Sequence, residues 1–166
     1  MTKKTTRLSF KRRAKGKTDY SKRLALLKSE KKRVVFRRSN KRVLLQLVEF
    51  KSKGDITLAS ASSEQLKRFG WNGKCNIPSA YLTGYWLGKM ALGLGVKEAV
   101  FDIGRLTPVH GGRVFAALKG LVEAGLKIPF SEEAFPKLER IEKKESRELL
   151  MKAKESIDNR EKARKG

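Results

Sequence analysis

The stretch VVFRRSNKRVLLQLVEFKSKGDITLASA, residues 34–61, decides the reading of the fold. Val34, Val35 and Phe36 open a β-branched and aromatic run, Ser39-Asn40-Lys41 supplies turn residues, and Val43 to Phe50 returns with Leu44, Leu45, Leu47 and Val48. Two such runs about a short polar turn predict a β-hairpin. Lys51-Ser52-Lys53-Gly54-Asp55 is a second turn, and Ile56 to Ala61 alternates as a third strand with Ile56, Leu58 and Ser60 on one face. A three-strand antiparallel meander is expected.

Downstream, a polar connection over 62–78 carries a helical turn at Ser63 to Phe69, and Pro78 and Ser79 start a helix. Leu82, Tyr85, Trp86, Met90 and Leu94 recur at helical spacing, with Gly93 and Gly95 where a helix end favours them. Glu98 to Ile103 then reads as a strand reached by a right-handed crossover. After the loop Gly104 to Gly112, the stripe Val114, Phe115, Leu118, Leu121 and Val122 predicts a second helix ending at Gly125, and Leu126 to Phe130 a last short strand. Upstream, Thr18 and Asp19 are candidate N-caps for a short helix with Tyr20, Leu24 and Leu27 on one side. The fold class is therefore α/β, a mixed sheet in which the meander is followed by α-β-α-β. Residues 1–17, nearly devoid of large apolar groups, read as a disordered basic arm, residues 18–130 as the core, and residues 131–166 as a mainly helical, charged extension whose last helix mixes Glu and Lys around Leu149, Leu150, Ala153 and Ile157, solvated or apposed to RNA.

The chain has 166 residues with 40 Lys or Arg and 17 Asp or Glu, a formal charge of +23. That charge is not spread evenly. Residues 1–42 hold 18 basic and two acidic side chains for a net of +16, against +5 for 43–130 and +2 for 131–166. A segment this cationic repels itself unless anions neutralise it, so the amino-terminal quarter points to a polyanionic partner. The single cysteine, Cys75, excludes an internal disulfide framework and suits a reducing compartment. No secretory signal and no apolar run long enough to span a membrane are read, so a cytoplasmic protein without membrane contact is expected.

Cations interleaved with aromatics carry the clearest chemical signal: Lys11 to Lys17, then Tyr20 and Arg23, then Lys31-Lys32-Arg33 and Arg37 to Arg42. Guanidinium and ammonium groups neutralise phosphates, while Tyr20 or Phe36 could stack on an unpaired base. The segment Asp102 to Arg113 joins a strand end to a helix through glycines, and reads either as a phosphate-receiving loop or as a shaped turn. His110, the only histidine, has no sequence neighbours that would make it a catalytic base. Glu49, Asp55, Glu64, Glu98, Asp102 and Glu123 could in principle assemble a metal-dependent nuclease site, but they show no diagnostic spacing, and salt-bridge or capping roles are favoured because a charged surface is ordinary. Gly84-x-x-x-Gly88 reads as a close-packing device, and Trp71 with Cys75 as a loop anchor.

Gly16-Lys17-Thr18-Asp19-Tyr20, Lys22 to Ser29, Arg38-Ser39-Asn40, Tyr81-Leu82-Thr83-Gly84, Asp102-Ile103-Gly104 and Arg113 to Gly120 occur in an order that resembles the universal ribosomal protein eighteen family of the large subunit, over about residues 12–135 and with an archaeal cast. The resemblance implies a sheet related to the ribonuclease H-like motif, of the kind found in translational machinery components, without nuclease activity or cofactor. It implies a structural protein of the large ribosomal subunit that binds 5S rRNA and helps attach it to 23S rRNA in the central protuberance, beside the large-subunit protein five family and other proteins there. By the same resemblance Arg12, Arg13, Lys15 and Lys17 match the family's basic arm, Tyr20 and Arg23 the helix after it, Arg37, Arg38, Ser39, Asn40 and Arg42 the RNA-facing turn, and Arg105 and Arg113 the basic loop before the Phe-Ala-Ala-Leu helix. The rivals of another class are a metal-dependent nuclease on the same sheet and a basic DNA-packaging protein.

Overall fold

A computed structural model describes residues 9–142 and 147–163. The meander forms as the alternation predicts: β1 (Arg33–Arg38), β2 (Val43–Glu49) and β3 (Ile56–Ser62) are antiparallel neighbours, with Arg38 opposite Val43 across the first turn and Glu49 opposite Ile56 beside the second. The β-branched and leucine-rich runs of β1 and β2 place Val34, Phe36, Val43, Leu45 and Leu47 on one fully buried face. The edge strand β3 differs from the simplest reading of its pattern. Its larger apolar residues Ile56 and Leu58 face outward, while Ala59 and Ala61 meet the core. The long helix α3 (Ile77–Gly93) packs over β2 and β3, and the strand presents its alanines to the core.

Helix α3 starts at Asn76, whose side chain accepts the Ser79 N–H, with Pro78 inside the first turn where its missing N–H costs nothing. It carries the chain from one sheet edge to the other, where β4 (Val100–Asp102) pairs parallel with β1, giving the order β3-β2-β1-β4. The last predicted strand is reduced to a single parallel bridge between Glu98 and Lys127. Pairing goes no further because Gly125 turns the chain with φ +106 just before it, and Pro129 lacks the N–H that a ladder would need just after.

Helix α4 (Arg113–Glu123) lies against α3, and the approach is set by glycine: a Cβ on Gly84 would strike the Ala117 carbonyl, and one on Gly120 the Tyr81 carbonyl. The Gly84-x-x-x-Gly88 element is thus a helix-packing surface, as its sequence suggests. Near the amino terminus, α1 (Lys11–Ala14) is one helical turn and α2 (Tyr20–Leu27) a short helix capped by Asp19. Residues 9–17 therefore are not featureless, although none is buried; residues 1–8 of the expected arm lie outside the described residues.

The carboxyl-terminal part departs most from expectation. After α5 (Leu138–Ile141), α6 (Arg147–Ala163) buries Leu150, Ala153 and Ile157 against α3 and the 3₁₀ helix Ser63–Phe69. It is held as well by Tyr85 Oη donating to Asp158 at 2.9 Å and by Lys89 pairing with Asp158 at 3.1 Å. The helix is part of the core rather than a solvated tail, because its apolar residues fall on one side at i, i+3 and i+7.

Candidate nucleic-acid interface

The arm and α2 are built around Asp19, whose Oδ1 accepts the N–H groups of Ser21 and Lys22 at 3.1 Å and so satisfies two of the free donors that open a helix. Just before it, Arg12 Nε donates to Thr18 Oγ1 at 2.9 Å, and the rings of Phe10 and Tyr20 meet at 5.0 Å. Tyr20 is therefore half-covered by Phe10 rather than free on both faces. Arg12, Arg13, Lys15 and Lys17 are all exposed and project charge from a stretch that buries nothing. The apolar stripe of α2 is only loosely covered: Leu24 is 58% exposed.

Arg23 has a second employment. Its Nη2 lies 2.8 Å from Asp55 Oδ2, which also receives Arg33 Nη2 at 2.7 Å, while Arg33 Nη1 reaches Asp102 Oδ2 at 3.0 Å. Arg33, a member of the cationic run read as RNA-facing, is 2% exposed and faces two carboxylates. It belongs to the fold: a buried guanidinium persists only where charge and hydrogen bonds compensate its lost hydration. Arg23 ties α2 to this pair across the sheet.

The β1–β2 turn brings Arg37, Arg38, Ser39, Asn40, Lys41 and Arg42 together, all exposed. Ser39 Oγ accepts the Arg42 N–H at 3.1 Å and the Ser39 N–H donates to the Arg42 carbonyl at 2.9 Å, so Ser39 closes the turn. Asn40 stands at the tip. Arg42 pairs with Glu64 at 3.1 Å with both side chains about half in solvent, a contact worth little and readily exchanged for a phosphate. Arg37 donates to the Phe36 carbonyl at 2.9 Å and lies against Gly104, where a Cβ would come within 2.8 Å of Nη1. The left-handed φ of +62 at Gly104 and that contact both favour glycine, so the loop after β4 is shaped around the hairpin arginine.

That loop brings Arg105 to the surface and Arg113 inward. Arg113 Nη1 donates to the Cys75 carbonyl at 3.0 Å and approaches its Sγ at 3.3 Å, a bond that ties the start of α4 to the start of α3. Trp71 is buried with Nε1 donating to Ser79 Oγ at 2.8 Å, which makes the Trp71–Cys75 segment the anchor its sequence suggested. His110 is exposed and packs its ring 5.7 Å from that of Phe115. Between these elements lies a cleft of about 900 Å³ whose lining includes Arg38, Arg113 and, from α5, Arg140. Arg140 is not among the RNA-facing residues that the sequence suggests; no pattern in the chain ties it to a loop some thirty positions earlier.

The six carboxylates weighed as metal ligands are each drawn to a cation instead. Glu49 pairs with Lys32, Asp55 and Asp102 with Arg33, Glu64 with Arg42, Glu98 with Lys31 and Glu123 with Lys154. The hydrogen bond and charge of Lys31 hold the Glu98 carboxyl below its usual range.

Residues 4–95 match the sequence family described as ribosomal large subunit proteins 60S L5 and 50S L18. The chain is 49% identical over 136 residues to the large ribosomal subunit protein uL18 of Korarchaeum cryptofilum, covering 81% of this chain and 70% of that one. It is 44% identical over 156 residues to the large ribosomal subunit protein uL18 of Methanothermobacter thermautotrophicus, covering 93% and 79%.

Proposed function

The chain belongs to the family of large ribosomal subunit proteins uL18, and from that premise we propose that it binds 5S rRNA and helps attach it to 23S rRNA in the central protuberance, beside the protein five family. Its role is that of a structural constituent of the large subunit. The observation that carries the reading is the cationic surface of the amino-terminal quarter: residues 1–42 have a net charge of +16, and among the described residues Arg12, Arg13, Lys15 and Lys17 of the arm and Arg37, Arg38, Lys41 and Arg42 of the hairpin are exposed. No helix among the described residues is long and apolar enough to cross a membrane.

In this reading Arg12, Arg13, Lys15 and Lys17 neutralise phosphates, Tyr20 offers its free ring face, and Arg37, Arg38, Asn40 and Arg42 meet the RNA at the turn. Arg105 adds charge beside them. Ser39, Arg23 and Arg113 hold the elements that present these groups, and act on RNA through whatever donors their own bonds leave open. Capture is electrostatic and the arm orders along the RNA as it binds, an entropic cost that phosphate contacts offset.

The test is the salt dependence of 5S rRNA affinity. Each phosphate neutralised contributes about −0.7 to −0.9 to the slope of log affinity against log salt, so about six contacts predict a slope between about −4 and −5. A slope near zero would remove the electrostatic mechanism.

A further inference from the structure

The cleft between the start of α3 and the loop before α4 lies beside the hairpin turn, and Arg38 belongs to both. Its volume of about 900 Å³ falls within the range of small-molecule sites, about 300–1,000 Å³. The walls divide chemically: Ile77, Leu106 and Val109 present hydrocarbon, and Arg38, Arg113 and Arg140 present guanidinium groups, against a single carboxylate, Glu139.

Hydrogen bonds of the fold hold these walls. The Trp71–Ser79 and Arg113–Cys75 hydrogen bonds fix one side, and the Gly111 N–H, donating to the Ala134 carbonyl at 3.0 Å, fixes the other. Arg140 is seated against the loop, since a Cβ on Gly111 would stand 3.0 Å from its Nη1. Arg113 is partly committed to Cys75, but Arg38 and Arg140 are exposed and have guanidinium donors to offer.

We propose that this cleft takes one unstacked, phosphate-bearing nucleotide of the bound RNA, with its base against Ile77, Leu106 and Val109 and its phosphate on Arg38 and Arg140. The inference rests on the RNA-binding reading above and deepens it by adding a recognition subsite away from the arm. An RNA strand following the hairpin tip meets Arg38 at the cleft mouth. Sequence-specific RNA recognition targets bases splayed out of the helix, which need an apolar surface for the base and a planar cation for the phosphate. The excess of three guanidiniums over one carboxylate favours this occupant over an apolar segment of a protein partner.

Cys75 supplies the readout, because it is the only cysteine of the chain and lines the cleft. Saturating 5S rRNA should slow its alkylation by N-ethylmaleimide about tenfold in the full-length protein. Thr107→Trp, at an exposed lining position, should fill the cleft and lower 5S rRNA affinity about fivefold with the circular dichroism unchanged. Arg140→Gln should weaken binding and reduce the magnitude of the salt slope by about one, the loss of one phosphate contact. If Cys75 reacts equally fast in the complex and both variants bind like the parent with its full slope, the cleft is not a nucleotide site, while the broader reading survives. Protection by an acidic, apolar peptide but not by RNA would likewise overturn the proposal. A parent protein that fails to bind 5S rRNA in a salt-dependent way would instead defeat the broader reading, and the subsite with it.

Discussion

Arg33 and Arg38 sit at opposite ends of one strand and show how little charge alone says about a residue's task. Strand alternation turns Arg33 toward Asp55 and Asp102, where it is consumed, and the end of the strand releases Arg38 into solvent beside the turn. The same separation holds for Ser39 and Asn40: the serine hydroxyl is occupied closing the turn, while the asparagine tops it. Phosphate contacts fix an RNA in place and contacts to bases and 2′-hydroxyls distinguish one RNA from another. Asn40→Ala should therefore reduce the preference for 5S rRNA over a length-matched RNA, whereas Arg38→Ala should weaken both. Competition binding at fixed salt checks this, and equal losses on both RNAs from Asn40→Ala would assign the tip a structural role only. The positions of these cations were legible in the sequence; their partners were not, because Asp55 and Asp102 reach Arg33 only once β3, β1 and β4 are assembled.

At the scale of elements, what could be read was what repeats locally. The meander, α3 and α4 follow from period-two and helical stripes, and Asp19 acts as the cap its residue type favours, whereas the cap of α3, Asn76, stands ahead of the start read at Pro78 and Ser79. What could not be read depends on neighbours. Which face of β3 meets the core, with Ile56 and Leu58 outward, is settled only by the elements packed on the sheet, and the docking of α6 depends on a surface made by α3 and the 3₁₀ helix. Polar clamps across the three long helices hold that arrangement. Tyr81 on α3 donates to Glu123 on α4, and Lys154 of α6 reaches both, standing 4.7 Å over the Tyr81 ring. Burial first, then the hydrogen bond and charge of Glu123, push the Tyr81 phenol above its ordinary value of 10.0. The unfolded chain then loses this proton near pH 10 while the folded chain keeps it, so the stability it provides is full below about pH 10 and declines above. The decline from this group is at most about 1.4 kcal/mol per pH unit. Lys89 shifts in the same sense: burial, the largest single cause, lowers it, but the hydrogen bonds and charges of Asp158 and Tyr85 together outweigh burial and raise it, so some alkaline loss persists without Tyr81. Urea unfolding from pH 8 to 11 should show the gap between parent and Tyr81→Phe narrowing above about pH 10. A constant gap would mean that the phenol ionises alike in both states.

For the whole molecule, apolar burial separates two ends that are both rich in basic residues. Both termini are rich in Lys and Arg, yet the first seventeen positions bury nothing among the described residues, whereas α6 places Leu150 and Ile157 at 1% and 0% exposure. Removing residues 1–17 should leave the circular dichroism spectrum and the thermal midpoint within about 2 °C of the parent, because changes at exposed sites cost within about 0.5 kcal/mol. It should weaken 5S rRNA binding and flatten its salt slope. Ending the chain after Glu142 should do the reverse. Burying a Leu or Ile side chain contributes about 1.5–3 kcal/mol, so the two together represent about 3–6 kcal/mol of a total that is typically about 5–15. The loss also strips Asp158 from Tyr85 and Lys89 and uncovers the flank of Phe69, over which Arg160 stands at 5.6 Å. The shortened protein should unfold at a markedly lower temperature, or fail to fold, with its amino-terminal charge untouched. Thermal scans and RNA binding on the two truncations decide the matter together: if both lose stability equally, the arm is part of the core, and if both keep it, α6 is an appendage whose burial contributes little.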